Sequence, residues 1–113
     1  MAMRTTSKLS IIIRMKKLKP AHPGTILLEE FIVPLGLTQY RVAKESGIAH
    51  STMTQIVNGR RPISVENAIR LGLYFGTTAE FWMNLQMDYD LRLARRMKLK
   101  ALEREVKPLD RAA

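Results

Sequence analysis

The sequence has no cysteine among its 113 residues and only two histidines. Without cysteine, neither a disulfide nor a thiolate metal site can form, and nothing indicates an oxidising compartment. His22 and His50 lie far apart and lack the acidic neighbours that would support a metal site or an oriented nucleophile. Because we also find no acid/base pair, phosphate loop or metal cluster, the sequence predicts a protein without metal, cofactor or catalysis.

Long hydrophobic runs are absent as well. The apolar stretch near the start, Leu9 to Ile13, is too short for the core of a signal peptide and far too short to span a bilayer. We therefore expect no membrane association and a cytoplasmic location.

Acidic residues are scarce at both ends of the chain. Residues 1–20 contain six basic and no acidic side chains, residues 21–90 contain five basic and seven acidic, and residues 91–113 contain eight basic and three acidic. The ends therefore carry +6 and +5 and the centre carries −2, which gives the net charge of +9 and favours a polyanionic partner at the ends. Simple solubility explains the same charge equally well.

The length fits one domain with a modest core. We expect a flexible basic extension over residues 1–20, a folded domain over 21–101 and a basic tail over 102–113. Strand-like alternation is nearly absent after residue 20, and the spacing of apolar, capping and breaking residues predicts an all-α domain of five helices.

Capping and breaking residues at the helix ends support the prediction of five helices. The first helix is expected over residues 23–33, and the fifth continues past residue 100 without a breaker. Ala49 is a poor cap for the third helix, a loss of about 1 kcal/mol relative to Ser or Thr. The expected first or capping residues, in helix order, are Pro23, Thr38, Ala49, Ser64 and Thr77, the last paired with Glu80 as a capping box.

The second and third helices have the pattern of a helix-turn-helix, in which two short helices are joined by a tight glycine turn. Gly47 supplies the turn, and Ala43 is small where the helices cross. Plain structural hairpins share this pattern, so spacing alone leaves DNA binding and a structural role both open. The residues expected to hold the motif together are Val42, Ala43, Gly47, Ile48, Met53 and Ile56.

The third helix, in "HSTMTQIVNGRRP", has a neutral open face, although a solvated helix face usually carries Glu, Lys and Arg. Gln55 can contact an adenine through both amide groups, and Thr54 can meet a thymine methyl group. A neutral solvated face is the alternative, and His50 is equally well explained as a bystander. The candidate DNA-binding residues of this stretch are His50, Ser51, Thr52, Thr54, Gln55, Asn58, Arg60 and Arg61, the arginines as backbone contacts.

The fifth helix carries more apolar residues than one small core needs, so part of it is expected either to pair with a second chain or to fold back over its own domain. Trp82 fits a core or interface position better than a stacking platform, because its apolar surface continues at helical spacing. The residues expected in the core or a dimer interface are Phe81, Trp82, Leu85 and Tyr89.

Further along the same helix lies a basic stripe formed by Arg92, Arg95, Arg96, Lys100 and Arg104. This basic stripe is consistent with three roles, namely contact with DNA that flanks an operator, contact with an acidic partner, or simple solvation.

The segment "LTQYRVAKESGIAHSTMTQIVNGRRP" resembles the helix-turn-helix of lambda-repressor-like, XRE-type regulators. With "HPGTILLEEF" before it and "NAIRLGLYFGTTAEFWMNLQMDYDL" after it, the chain is similar to the HigA family of antitoxins over about residues 16–96. It departs from that family at Ala49, where serine is common, at Gly72, where alanine is usual, and in an extension upstream of Met15.

The resemblance implies a five-helix lambda-repressor-like domain with a long C-terminal helix, in which Gln39 matches a position that touches a phosphate. It further implies a cytoplasmic homodimer that binds double-stranded DNA at a palindromic operator and represses its own operon. The expected protein partner is a HigB-type toxin that cleaves messenger RNA and is encoded nearby. A regulator without a toxin, or a toxin-masking module with only secondary DNA binding, remains the alternative.

Overall fold

The computed structural model describes residues 21–111, so the predicted basic extension over residues 1–20 lies outside the described residues. Within the described part the chain forms five helices and no strand, which confirms the predicted all-α class. No helix in this part is long and apolar enough to cross a membrane. The helices are α1, which is α-helical over Pro23–Ile26 and π-helical over Leu27–Ile32, then α2 (Gln39–Ser46), α3 (His50–Val57), α4 (Val65–Phe75) and α5 (Ala79–Glu105).

The second half of α1, within the helix predicted over residues 23–33, has π-helical geometry. Its turns widen, so that the N–H of Val33 donates to the carbonyl of Leu28, five residues earlier, at 2.9 Å. This i to i+5 pattern lets Leu27 and Ile32, five residues apart, both enter the core. The helix predicted over residues 23–33 is therefore confirmed, and its wide turns after Ile26 are a feature that the sequence did not predict.

The start of α5 differs from the prediction. Thr78, rather than Thr77, is the capping residue, and its Oγ1 accepts from the N–H of Phe81 at 3.0 Å. The Oγ1 of Thr77 accepts instead from Nε1–H of Trp82 at 2.8 Å. Because Trp82 is fully buried, its indole N–H needs an internal acceptor, which explains why Thr77 is used for this contact.

The other predicted helix ends are confirmed. Thr38 caps α2 and Ser64 caps α4, each accepting a backbone N–H through its side-chain oxygen at 3.1 Å. Ala49 precedes α3 without a side-chain cap. Gly47 and Gly76 end α2 and α4 in the left-handed conformation, with φ of 78° and 74°.

Trp82 lies in the centre of the core. Its ring is 4.9 Å from that of Phe31 and 5.0 Å from that of Phe81, measured between centroids. Leu85 is also buried, and Phe81 is packed against the same core. Trp82 therefore has a core role within one protomer, so neither an interface role nor a stacking role applies to it.

The second half of α5 extends away from this core. The helix has 27 residues, and all residues from Leu93 to Glu105 are exposed. At 1.5 Å per residue the helix is about 40 Å long. Within the described residues it does not fold back over its own domain, and it continues to Glu105, so the segment predicted as a tail from residue 102 begins inside the helix.

Candidate nucleic-acid interface

The turn between α2 and α3 is tight, and two hydrogen bonds from backbone N–H groups stabilise it. Gly47 has φ of 78°, and its N–H donates to the carbonyl of Ala43 at 3.0 Å. The buried Oγ of Ser46 accepts from the N–H of Ile48 at 3.4 Å. Because only glycine adopts this conformation at little cost, the turn fixes the direction in which α3 leaves α2.

The inner side of α3 is fixed by the core. Met53, Ile56 and Val57 are buried beneath it, and the first turn of α1 lies on its backbone. A Cβ atom on Gly24 would be only 1.7 Å from the carbonyl oxygen of Ile56, so the two backbones meet where no side chain fits. All six residues predicted to hold the motif together occupy the expected turn or core positions, namely Val42, Ala43, Gly47, Ile48, Met53 and Ile56.

The outer side of α3 faces solvent. Among the predicted DNA-binding residues of this helix, Ser51 and Gln55 are exposed, whereas Thr52 and Thr54 are half-buried. The first turn of the helix exposes His50, and the loop after it exposes Asn58. This outer side and the following loop thus bring the neutral predicted residues onto one accessible surface.

Tyr40 belongs to this surface, although the sequence analysis missed it. Its side chain is 63% exposed, and its ring lies edge-on to that of His50 with 5.8 Å between centroids. It follows Gln39, which is half-buried at the first turn of α2. The available signal was a large aromatic residue placed next to the predicted phosphate contact at a helix start.

The loop after α3 turns back on the helix. Gly59 has φ of 76°, and the N–H of Arg60 donates to the backbone carbonyl of Gln55 at 2.8 Å. The Nε of Arg61 donates to the side-chain Oε1 of Gln55 at 2.7 Å. Both predicted arginines are exposed, and both bond to Gln55, Arg60 through its backbone N–H and Arg61 through its side chain.

Gln86 anchors the far end of this loop from inside the core. Its Oε1 accepts from the N–H of Ile63 at 2.8 Å, and its Nε2 donates to Asp90 at 3.0 Å. Gln86 is buried, so these bonds meet the requirement that buried polar groups be paired. The sequence analysis missed it, although an amide beside Leu85 on the apolar side of α5 was a usable signal.

Two side chains of α4 tie it to the C-terminal end of α2. Nη1 of Arg70 donates to the carbonyl of Ser46 at 3.3 Å, and the hydroxyl of Tyr74 donates to Oε1 of Glu45 at 2.6 Å. The bonds from Tyr74 and then Arg41 lower the pKa of Glu45, and the bond to Glu45 raises the pKa of Tyr74. These contacts brace the helix-turn-helix through α2, whereas α1 contacts it through α3.

His22 connects the start of α1 to α5, and no group of three or more His, Asp or Glu side chains that could hold a metal ion is present among the described residues. Its Nδ1 accepts from the N–H of Gly24 at 2.9 Å, and its ring lies 5.0 Å from that of Tyr89 in α5. Burial lowers the pKa of His22, and the charge of Asp90 partly opposes that effect. The neutral imidazole is thus the form that caps α1.

This architecture defines a helix-turn-helix protein, and a helix-turn-helix family model matches residues 28–82. The chain is 42% identical over 77 residues to virulence-associated protein I of Dichelobacter nodosus, covering 68% of this chain and 71% of that protein. It is 35% identical over 78 residues to antitoxin HigA-1 of Vibrio cholerae, covering 69% and 73% of the two chains.

Solved structures agree with these relatives. The Pseudomonas aeruginosa antitoxin HigA, solved with the higBA promoter, matches with a TM-score of 0.77 and 42% identity, covering 80% of this chain and 99% of that one. The antitoxin GraA in complex with its operator matches with a TM-score of 0.77 and 36% identity, covering 82% and 94%. The chain therefore belongs to the HigA family of helix-turn-helix antitoxins.

Proposed function

We propose that this protein is a cytoplasmic, sequence-specific DNA-binding antitoxin that represses its own operon as a homodimer and neutralises a HigB-type toxin encoded nearby. The observation that carries the proposal is the outer side of α3, where neutral hydrogen-bonding side chains are exposed on a helix that is held by the turn from α2 and by the backbone of α1. Relatives solved with a promoter or an operator support the same conclusion.

In this proposal α3 enters the major groove, which is wide enough to admit a helix. Ser51, Thr54 and Gln55 contact base edges, because their hydroxyl and amide groups both donate and accept hydrogen bonds. The remaining candidates contact the sugar-phosphate backbone and set the position of the helix, namely Gln39, Tyr40, His50, Thr52, Asn58, Arg60 and Arg61. The position of Gln39 at the start of α2, where the helix dipole favours an anion, supports a phosphate contact.

Two protomers place two recognition helices in successive major grooves, so the half-sites of a palindromic operator lie about 34–36 Å apart or a multiple of that distance. Trp82 and Leu85 are buried in their own protomer and are not available for pairing. The exposed part of α5 carries the apolar residues Leu91, Leu93, Met97, Leu99 and Leu102. Leu93 and Met97 lie one turn apart on the helix face that carries Trp82, and we assign the pairing to that face. Leu91, Leu99 and Leu102 lie on the opposite face.

The DNA part of the proposal is tested by fluorescence anisotropy at about physiological salt. One labelled duplex carries the DNA directly upstream of the protein's own coding region, and the other carries the same bases scrambled. We expect the native duplex to bind at least ~10³-fold more tightly. Equal, weak binding of both duplexes would contradict the repressor role.

The toxin part needs its own test. The protein is co-expressed with the product of the neighbouring open reading frame, and growth and co-purification are followed. Rescue of growth together with a stable complex is the expected result. If the operator is bound but neither rescue nor a complex is observed, the chain is a stand-alone regulator.

A further inference from the structure

The side-chain amide of Gln55 has a defined orientation in the free protein. Nε of Arg61 lies 2.7 Å from Oε1 of Gln55, within normal hydrogen-bond distance. A guanidinium can only donate, so the amide atom that faces it must be the oxygen. The Nε2 group, with its two donors, consequently points away from Arg61.

The loop fold, rather than the two side chains alone, brings this pair together. The N–H of Arg60 bonds to the carbonyl of Gln55 at 2.8 Å, and the left-handed Gly59 lies between them in sequence. Two residues after Arg61, the N–H of Ile63 is held by the buried Gln86 at 2.8 Å. Both ends of the short segment that carries Arg61 are therefore fixed to the domain.

We infer that Gln55 and Arg61 act as one recognition unit, in which Arg61 positions the amide of Gln55 and the pair selects guanine in the major groove. The inference rests on the proposed function, since it requires α3 to enter that groove. It goes further by naming the base and by giving Arg61 a role in specificity rather than only in backbone contact.

The choice of guanine follows from counting donors and acceptors. Guanine offers two acceptors, N7 and O6, whereas adenine offers the acceptor N7 and the donor N6–H₂. A lone glutamine matches adenine, because its amide both donates and accepts. In this protein one lone pair of Oε1 is occupied by Arg61, and the other lies beside a positive charge that disfavours an approaching N–H donor. The groups that remain accessible are donors, namely Nε2 of Gln55 and the Nη atoms of Arg61, and they match guanine.

The test uses selection from a random 20-base-pair duplex library by the full-length protein, followed by affinity measurements on four duplexes that differ at one position. That position is the base pair at which the wild type selects a particular base and Gln55→Ala no longer does. We expect the wild type to prefer guanine there by about tenfold or more. Replacing that guanine by 7-deazaguanine, which lacks the N7 acceptor, weakens binding of the wild type and leaves binding of Gln55→Ala unchanged.

Two arginine variants distinguish the orientation of the Gln55 amide by Arg61 from the general effect of removing one positive charge. Arg61→Ala frees the amide of Gln55, so the preference shifts from guanine towards adenine. Arg60→Ala removes the same charge from the neighbouring residue, which donates to Gln55 only through its backbone. It is expected to weaken binding to all four duplexes by a similar factor and to leave the guanine preference intact.

Two results would overturn the inference while the proposed function holds. One is a wild-type preference for adenine at the Gln55 position, and the other is a base preference that Arg61→Ala leaves unchanged. A library from which the wild type enriches no sequence would contradict the proposed function itself.

Discussion

Gly24 in the first turn of α1 lies directly against the carbonyl oxygen of Ile56 in the recognition helix, so closely that a Cβ atom on Gly24 would be 1.7 Å away. The obstructing atoms are backbone atoms of α3, which cannot rotate aside as a flexible side chain can. The position of α3 therefore depends on the absence of a side chain at Gly24 in α1. A side chain at Gly24 is therefore expected to shift α3, although Gly24 lies away from the open face of that helix.

Gly24→Ala is therefore expected to displace α3 or to lower the free energy of unfolding by roughly 3 kcal/mol, the upper part of the usual range for overpacked sites. Urea unfolding and operator affinity measure the two effects. Gly36→Ala is the control, since Gly36 has φ of 69° and its Cβ would meet nothing within 4 Å. It is expected to cost about 1 kcal/mol from backbone strain alone and to leave operator binding unchanged. Equal effects of the two substitutions would argue against the close contact.

His22 is expected to make the free energy of unfolding depend on pH. Because burial lowers its pKa in the folded state, the unfolded chain binds a proton at higher pH than the folded chain does. The contribution of His22 to the free energy of unfolding is fully present above its unfolded pKa of 6.5. It falls as the pH drops below that value towards the pKa of His22 in the folded state. Protonation also removes the lone pair of Nδ1 that caps Gly24.

Urea unfolding between pH 7.5 and pH 5.5 tests this prediction, with His22→Asn as the matched variant. Asparagine can accept the same backbone N–H but does not titrate in this range. The wild type should lose stability on acidification, and the variant should lose less. Identical pH dependence of the two proteins would show that another group titrates.

Thr77 is expected to stabilise the core by accepting the indole N–H of Trp82. Thr77→Val keeps the shape of the side chain but leaves that buried donor unpaired, which should lower the free energy of unfolding by about 1–3 kcal/mol. Thr78→Val removes only the helix cap and should cost about 1 kcal/mol. Thermal or urea unfolding of both variants shows which of the two threonines contributes more to the free energy of unfolding. A larger cost at Thr78 would contradict the assignment.

If the protein dimerises through the exposed part of α5, the double variant Leu93→Glu/Met97→Glu should be monomeric at concentrations where the wild type is dimeric. Both side chains are exposed in the protomer, so its core should stay intact, as near-ultraviolet circular dichroism would show. Sedimentation equilibrium measures the oligomeric state. Leu73→Glu on α4 is the control, since Leu73 is 81% exposed and equally apolar. Dissociation by Leu73→Glu alone would place the interface on α4.

The features that local rules govern could be predicted from the sequence. Thr38, Gly47 and Ser64 act through residues within one turn of themselves, so their roles follow from the adjacent sequence. The buried side of α3 likewise follows from helical periodicity, and Met53, Ile56 and Val57 lie where the pattern requires.

The features that distant contacts govern could not be predicted. The widening of α1 depends on packing Leu27 and Ile32 into one core, and the choice between Thr77 and Thr78 depends on where the Trp82 ring lies. The pairing of Gln55 with Arg61 requires a loop that is anchored by Gln86, a residue of another helix. Sequence analysis named both members of that pair as DNA contacts but treated them as independent.

The central claim, that the neutral outer side of α3 recognises bases, is tested most directly by the triple variant Ser51→Ala/Thr54→Ala/Gln55→Ala. Alanine favours helix, and these positions are not fully buried, so the domain should fold as before. The measurement is the ratio of affinities for the native upstream duplex and its scrambled counterpart at fixed salt. The account predicts that this ratio falls from at least ~10³ to near one while affinity for the scrambled duplex hardly changes. A variant that still distinguishes the two duplexes as the wild type does would contradict it.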